Sequence, residues 1–125
     1  MLKPNENAQL FETFAEKIRS VEAMQAYRYL IGWGLASKNY ACVPKPQGYL
    51  DSVRFYRGSA WDFAFIPNQA WLTFYFRQPC LRLATYARDE ILRRFPHAEE
   101  TNDGEFIVRV SDIEDALRIA SFAES

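Results

Sequence analysis

The clearest pattern of hydrophobic and polar positions runs from Val53 to Phe76, where apolar and polar side chains alternate over three short segments. Such period-two alternation is typical of half-buried β-strands, and aromatic and β-branched residues favour strands. The pattern therefore predicts three antiparallel strands in a meander. One face would place six aromatic rings in the core: Phe55, Trp61, Phe63, Phe65, Phe74 and Phe76. The other face would present Arg54, Tyr56, Asp62, Trp71, Thr73 and Tyr75.

The register of the first hairpin follows from the rule that opposed residues share a face. A three-residue loop at 57–59 places Phe55 opposite Trp61, an apolar pair. A two-residue loop at 58–59 would place Phe55 opposite Asp62 instead. The hydrophobic pattern favours the longer loop, although its Gly-Ser sequence suits a tight turn.

Helical periodicity flanks this meander on both sides. Apolar residues recur at helical spacing over about 8–19, 20–38 and 79–95. Gly32 and Gly34 lie inside the second of these segments, where glycine is unfavourable, which indicates close packing or a kink. A capping box at 111–114 opens a last helix, and its predicted buried residues are Ile113, Ala116, Leu117 and Ala120.

The remaining segments complete a mixed fold. The Asn102-Asp103-Gly104 turn joins strands near 98–101 and 105–110, and residues 41–50, with two prolines and a glycine, are predicted to be an extended connector. We therefore expect a single α+β domain over 1–125, with a helical part (1–40), the connector (41–50) and a part containing the sheet and two helices (51–125). An antiparallel sheet of about five strands, the meander plus a C-terminal hairpin, would pack with about four helices.

The distribution of charge is more informative than its sum. The chain carries 15 Lys and Arg and 16 Asp and Glu, a formal net charge of −1, so it has no polycationic signal for nucleic acid or membrane. Residues 53–94 hold seven Arg and three acids, a net of +4, whereas residues 95–125 hold two Arg and eight acids, a net of −6. The acidic segment either faces a basic partner or pairs with the Arg-rich segment.

Targeting and cysteine patterns point to an ordinary cytoplasmic protein. No apolar run is long enough to span a bilayer, and the N-terminus lacks the apolar core and cleavage site of a signal peptide. We therefore expect a cytoplasmic location and no membrane partner. Cys42 and Cys80 match no zinc or redox spacing, which leaves open whether they form a disulfide.

Recognisable catalytic patterns are lacking in the sequence. His97 has no neighbouring cysteine or second histidine, so we interpret it as a surface residue and predict no metal site. Adjacent acids at 89–90, 99–100 and 114–115 are interpreted as solvated charges. The glycines form no phosphate-binding loop, and we predict no cofactor and no catalytic residues.

The best functional candidate is the second face of the predicted sheet. Tyr56, Trp71 and Tyr75 would lie there with Arg54 and Arg109, and these residue types are enriched at protein-binding hot spots. The leading hypothesis is a non-enzymatic protein-binding module, such as a small inhibitor, an immunity-type protein or an adaptor, that binds another protein through this surface or through its acidic C-terminal region.

Four alternatives stay open. The same aromatic and arginine surface could stack the bases of single-stranded nucleic acid, or enclose a small-ligand pocket. The N-terminal helices could instead cover the face and make it a second core layer. An enzyme with an unrecognised site is the further alternative, and it would have to draw on His97 or Asp62.

Overall fold

Five helices and six strands make up the part of the chain that the computed structural model describes, residues 4–47, 50–83 and 86–124. The helices are α1 (Pro4–Ala15), α2 (Val21–Ala36), α3 (Gln78–Leu81), α4 (Arg88–Arg94) and α5 (Ile113–Glu124). The strands are β1 (Ala41–Gln47), β2 (Leu50–Arg57), β3 (Ala60–Pro67), β4 (Leu72–Phe76), β5 (Glu99–Glu100) and β6 (Phe106–Val110). Neighbouring strands are antiparallel in the spatial order β1-β2-β3-β4-β6-β5. The predicted α+β class with an antiparallel sheet is confirmed.

The predicted connector at 41–50 is wrong at its described residues, because Ala41–Gln47 form the edge strand β1 and Leu50 begins β2. Pro44 pairs with Val53 in β2, and Pro46 lies two residues further along β1. Proline has no N–H to donate, so it is tolerated in an edge strand where that group would face away from the neighbouring strand. The two prolines thus also deprive the outer edge of donors that could recruit another strand. Residues 48 and 49 of the predicted connector lie outside the described residues.

The first hairpin has the two-residue loop that the hydrophobic pattern disfavoured. Arg57 pairs with Ala60, and Gly58 between them has a φ of +62°, as the first position of a type II′ turn requires. Phe55 is nevertheless opposite an apolar residue, Phe63, because one extra residue is accommodated in β3. The expected pairing of Phe55 with Trp61 is therefore wrong.

The third predicted helix, 79–95, is two helices, α3 and α4. Between them Tyr86 turns into the core, where its ring lies 5.5 Å from that of Phe63 and its hydroxyl donates a hydrogen bond to the carbonyl of Ala123 at 2.6 Å. Ala87 then adopts an extended conformation (φ −61°, ψ 154°), which separates the two helices. Residues 84 and 85 lie outside the described residues.

The last helix begins one residue later than the capping box predicted. Asp112, not Ser111, caps α5, since its Oδ1 accepts the N–H of Asp115 at 2.9 Å. Two residues predicted to be buried, Ile113 and Leu117, are exposed (41% and 46%). The buried stripe of α5 is instead formed by Ala116, Ile119, Ala120, Phe122 and Ala123.

The core lies between the helices and one face of the sheet. The Tyr27 ring of α2 meets Phe65 of β3 edge-on at 5.8 Å, and Phe122 of α5 meets Phe76 of β4 at 5.7 Å. Five of the six phenylalanine and tryptophan rings predicted for this face are fully buried there: Phe55, Phe63, Phe65, Phe74 and Phe76. The sixth, Trp61, is not on this face.

Candidate functional site

The opposite face of the sheet is open. One row of opposed residues crosses its middle, from Arg54 on β2 through Ala64 and Tyr75 to Ile107 on β6. Arg54, Tyr75 and Ile107 are all partly exposed, whereas α2 and α5 pack on the phenylalanine face. The arrangement in which the N-terminal helices cover this face is therefore not what the structure shows. We call this surface the open face, formed by Lys45, Ser52, Arg54, Tyr56, Trp61, Ala64, Ile66, Thr73, Tyr75, Ile107 and Arg109.

Trp61 reaches the open face through a β-bulge. Phe55 pairs with Phe63 and the next residue, Tyr56, pairs with Trp61, so Asp62 is the extra residue of β3. Residues 61 and 63 would share a face in a regular strand, but the bulge sends them to opposite faces. The Tyr56 and Trp61 rings lie side by side with centroids 6.1 Å apart.

Asp62, the bulged residue, does not lie on the open face, so the prediction that it does is wrong. Asp62 is fully buried and forms a two-pronged ion pair with Arg57, at 2.8 Å to Nε and 3.4 Å to Nη2. A buried carboxylate requires such a partner, because leaving it unpaired away from water is costly. The Arg57 side chain remains 43% exposed, so the pair reaches from the core to the surface.

An Arg–Trp–Arg stack forms the centre of the open face. The Cζ atoms of Arg54 and Arg77 lie 3.7 and 3.6 Å from the centroid of the Trp61 ring. Two guanidinium groups at that distance cannot share one ring face without overlapping, so they lie on opposite sides of the indole. Each contact of this kind stabilises by about 0.5–2 kcal/mol, depending on how far it is desolvated.

Further contacts hold the stack in place. Arg77 donates to the Trp61 carbonyl at 3.3 Å and forms an ion pair with Glu105 at 3.4 Å. Arg54 donates to the Tyr56 hydroxyl at 3.3 Å. The indole N–H of Trp61 donates to the Phe63 carbonyl at 2.9 Å. The Trp61 ring is therefore fixed before any partner binds.

A second arginine–tryptophan pair lies at the β4–β6 end of the sheet. The Arg109 guanidinium lies 4.0 Å from the centroid of the Trp71 ring, whose N–H donates to Thr73 Oγ1 at 3.2 Å. A cavity of about 450 Å³ adjoins this pair, lined by Asn68, Trp71, Thr73, His97, Glu99, Ile107, Val108 and Arg109. Trp71 and Arg109, which are far apart in the chain, are thus brought together.

Several cations of the open face have no acidic partner within the described residues. Arg57 and Arg77 are paired with Asp62 and Glu105, but Arg54, Arg109 and Lys45 form no ion pair there. Glu99, opposite Ile107 at the far edge, is an acid on the same side of the sheet. The centre of the open face therefore has a local excess of positive charge, although the whole chain is slightly negative.

The acids of the C-terminal segment are largely occupied within the fold. Two of them form ion pairs with the Arg-rich segment, Glu100 with Arg88 and Glu105 with Arg77. Asp112 and Asp115 accept backbone N–H groups at the start of α5, and Glu124 accepts the indole N–H of Trp33. These contacts leave this segment less available than the open face as a surface for a basic partner.

The other reactive side chains of the described residues lie in different environments. Cys42 and Cys80 are buried free thiols; burial raises the pKa of Cys42 to about 12 and also raises that of Cys80. His97 is exposed beside β5. Within residues 4–47, 50–83 and 86–124, no three His, Cys, Asp or Glu side chains come close enough to hold a metal ion.

The structure places the predicted site residues in two groups. Arg54, Tyr56 and Tyr75 lie around the stack, and Trp71 with Arg109 forms the second pair. Two residues of the stack are missing from the predicted site: Trp61, which was predicted to lie in the core, and Arg77. The Gly-Ser turn was the signal that could have found Trp61, because a two-residue loop keeps Phe55 opposite an apolar residue only if β3 contains a bulge.

Comparisons of the chain with protein-family models, with curated proteins and with solved structures find no match. Of the helices in the described ranges, none combines the length and apolar character needed to cross a membrane.

Proposed function

We propose that the protein is a non-enzymatic protein-binding module that binds its partner through the open face. The observation that carries this proposal is the Arg54–Trp61–Arg77 stack at the centre of the open face. Tryptophan, tyrosine and arginine dominate binding hot spots, and ordered side chains lose less entropy on binding than mobile ones. The stack provides these residue types in an ordered arrangement.

The guanidinium groups that cover the Trp61 ring favour a protein over a nucleic acid as the partner. Base recognition on a sheet requires aromatic rings with a free face on which a base can stack. Both faces of Trp61 are already covered by guanidinium groups, and Arg109 covers one face of Trp71. A protein partner can pack against the edges of these rings and against the arginines, without displacing either.

The experiment is affinity capture from the native lysate, with mass spectrometry, using three forms of the protein as bait. The test variant is Arg54→Glu/Arg109→Glu, and the matched control is Arg19→Glu/Arg82→Glu. The control arginines are exposed and, like Arg54 and Arg109, form no ion pair within the described residues. Both variants change the net charge equally. We expect a partner retained by wild type and control and lost by the test variant. A partner that both variants retain would contradict binding through the open face.

Single-stranded nucleic-acid binding is the second candidate, favoured by the three unpaired cations Lys45, Arg54 and Arg109 beside the partly exposed Tyr75. Fluorescence anisotropy with labelled single-stranded DNA and RNA tests it. Three phosphate contacts predict a slope of about −2 for the logarithm of the binding constant against that of salt concentration. Absence of binding at low salt dismisses this candidate.

A further inference from the structure

The middle of the open face contains a pit. Ala64 and Ser52 are small and almost fully buried (4% and 2% exposed), although α2 and α5 pack on the other face of the sheet. They form the floor because taller side chains surround them, with Trp61, Ile66 and Tyr75 as the walls. The space between these walls is about 220 Å³.

The size of the pit decides what class of group it can hold. Pockets for drug-sized ligands and cofactors usually span about 300–1,000 Å³, which is more than this pit provides. An apolar cavity of about 150 Å³ is enough to bind a benzene ring. The pit therefore fits one ring-sized or branched aliphatic group, such as a single side chain of a partner.

The polar side chains that line the pit are already paired. Ser52 Oγ donates to Gln47 Oε1 at 3.3 Å and accepts a hydrogen bond from Arg54 Nε at 3.4 Å, and Arg77 forms an ion pair with Glu105. Because these polar groups are already paired, a group that enters the pit does not have to supply hydrogen bonds to them. The aromatic and aliphatic walls therefore form an apolar anchor site. Arg54 and Arg109, which have no acidic partner among the described residues, lie on the same face outside this pit.

We infer that the Ala64 pit receives one large apolar side chain, aromatic or leucine, from a partner protein segment that carries acidic residues beside that anchor. The inference rests on the proposed function and specifies the partner's chemistry. The anchor would fill the pit between Trp61 and Tyr75. The flanking carboxylates would pair with Arg54 and Arg109, whose charges no acid of the described fold neutralises.

The test uses a phage-displayed library of random linear peptides selected on the wild-type protein. Selected peptides are then measured by fluorescence anisotropy against Ala64→Leu, which fills the pit from its floor. The matched control is Ala41→Leu, the same change at an exposed alanine that lies opposite Tyr56 and outside the pit. Circular dichroism checks that each variant folds. Should Ala64→Leu fail to fold, Ile66→Glu at the half-exposed wall replaces it.

We expect enriched peptides to combine an aromatic residue or leucine with neighbouring Asp or Glu. Loss of a hot-spot anchor corresponds to at least about 30-fold weaker binding to Ala64→Leu, with no change for Ala41→Leu. Peptides that bind Ala64→Leu as tightly as wild type overturn the inference, and so does a library that yields only basic peptides or none.

The outcome for the pit is separable from the outcome for the proposed function. If Ala64→Leu retains the peptides and the lysate partner while Arg54→Glu/Arg109→Glu loses both, the pit is not the anchor site but the open face still binds protein. If neither change affects the lysate partner, both the inference and the proposed function fail. Binding of a single-stranded oligonucleotide without any peptide binding also overturns the inference.

Discussion

Two glycines of α2 provide a sharp test of how the helical layer packs on the sheet. Gly32 is exposed, and a Cβ built on it would meet no atom within 4 Å. A Cβ on Gly34 would instead lie 2.5 Å from Phe55 Cε1 and 2.9 Å from Cys42 Sγ. Substituting each glycine by alanine adds the same methyl group, so the two variants differ only in what that group meets.

The expected effects have opposite signs. Alanine is more favourable than glycine inside a helix by about 1 kcal/mol, and Gly32→Ala should therefore raise the free energy of unfolding by about 0.5–1 kcal/mol. In Gly34→Ala the same gain is opposed by overpacking, which costs about 1–3 kcal/mol and occasionally more. The cost should be at the upper end, since carbon atoms prefer separations of about 3.5–4.0 Å and Phe55 is fully buried. We expect a net loss of about 2 kcal/mol.

Urea denaturation followed by circular dichroism measures both changes against wild type. The double variant Gly34→Ala/Phe55→Leu adds a check, because leucine lacks the ring atom that the new methyl group meets. It should be destabilised by less than the sum of its two single substitutions. Gly34→Ala at or above wild-type stability would refute the close approach of α2 to the sheet, as would equal effects of the two alanine substitutions.

Three further predictions concern the core and its buried ionisable groups. Phe63→Ala should lower the free energy of unfolding by about 3–5 kcal/mol, and Trp71→Ala by much less because Trp71 is partly exposed; a loss under about 1 kcal/mol for Phe63→Ala in urea denaturation would contradict its place in the core. Arg57→Ala should lower the free energy of unfolding by about 3 kcal/mol or more, because it leaves the Asp62 carboxylate buried and unpaired. Asp62→Ala should lower it by less, because the Arg57 side chain reaches water. Equal losses of stability in the two variants would contradict this reasoning. Between about pH 9 and 12 the Cys42 thiol is ionised in the unfolded chain but stays protonated in the folded protein, where its pKa is about 12. The free energy of unfolding should therefore fall by up to about 1.4 kcal/mol per pH unit because of this group. Cys42→Ala should remove this contribution to the pH dependence, and an unchanged pH dependence would contradict the raised pKa of Cys42.

The phenylalanine face could be predicted from sequence because alternation depends on local geometry alone. Phe55, Phe63 and Phe65 follow the parity of their strands, and errors of register that shift a partner by two residues leave each side chain on the same face. Phe55 was thus assigned correctly to the core although its expected partner, Trp61, was wrong. A shift of the register by two residues changes the partner of a side chain but not the face on which it lies. The core was therefore easier to predict than the strand pairing.

The features that the sequence did not reveal depend on distant partners. β1 escaped prediction because Pro44 and Pro46 usually exclude a strand, and only its edge position makes them acceptable. The break between α3 and α4 depends on Tyr86 inserting between Phe63 and Phe122, which belong to other elements. Neither feature leaves a local pattern in the chain.

The failure to predict the whole candidate site centres on one residue. Parity assigns Trp61 and Phe63 to one face, and only an extra residue between them can separate them. Asp62 is that residue, and its buried carboxylate is accommodated by Arg57, across the turn at Gly58. A rule based on alternation alone cannot detect such an insertion.

The bulge links the stability of the fold to the proposed binding surface. In a regular register the Trp61 ring would enter the core, and the open face would lose both the stack with Arg54 and Arg77 and one wall of the Ala64 pit. The Arg57–Asp62 ion pair occupies the bulged position, so we regard this pair as part of the structure that presents the surface, although neither residue belongs to the pit. Loss of Arg57 should therefore weaken partner binding as well as stability, whereas a core truncation such as Phe63→Ala should affect binding only as far as it unfolds the protein.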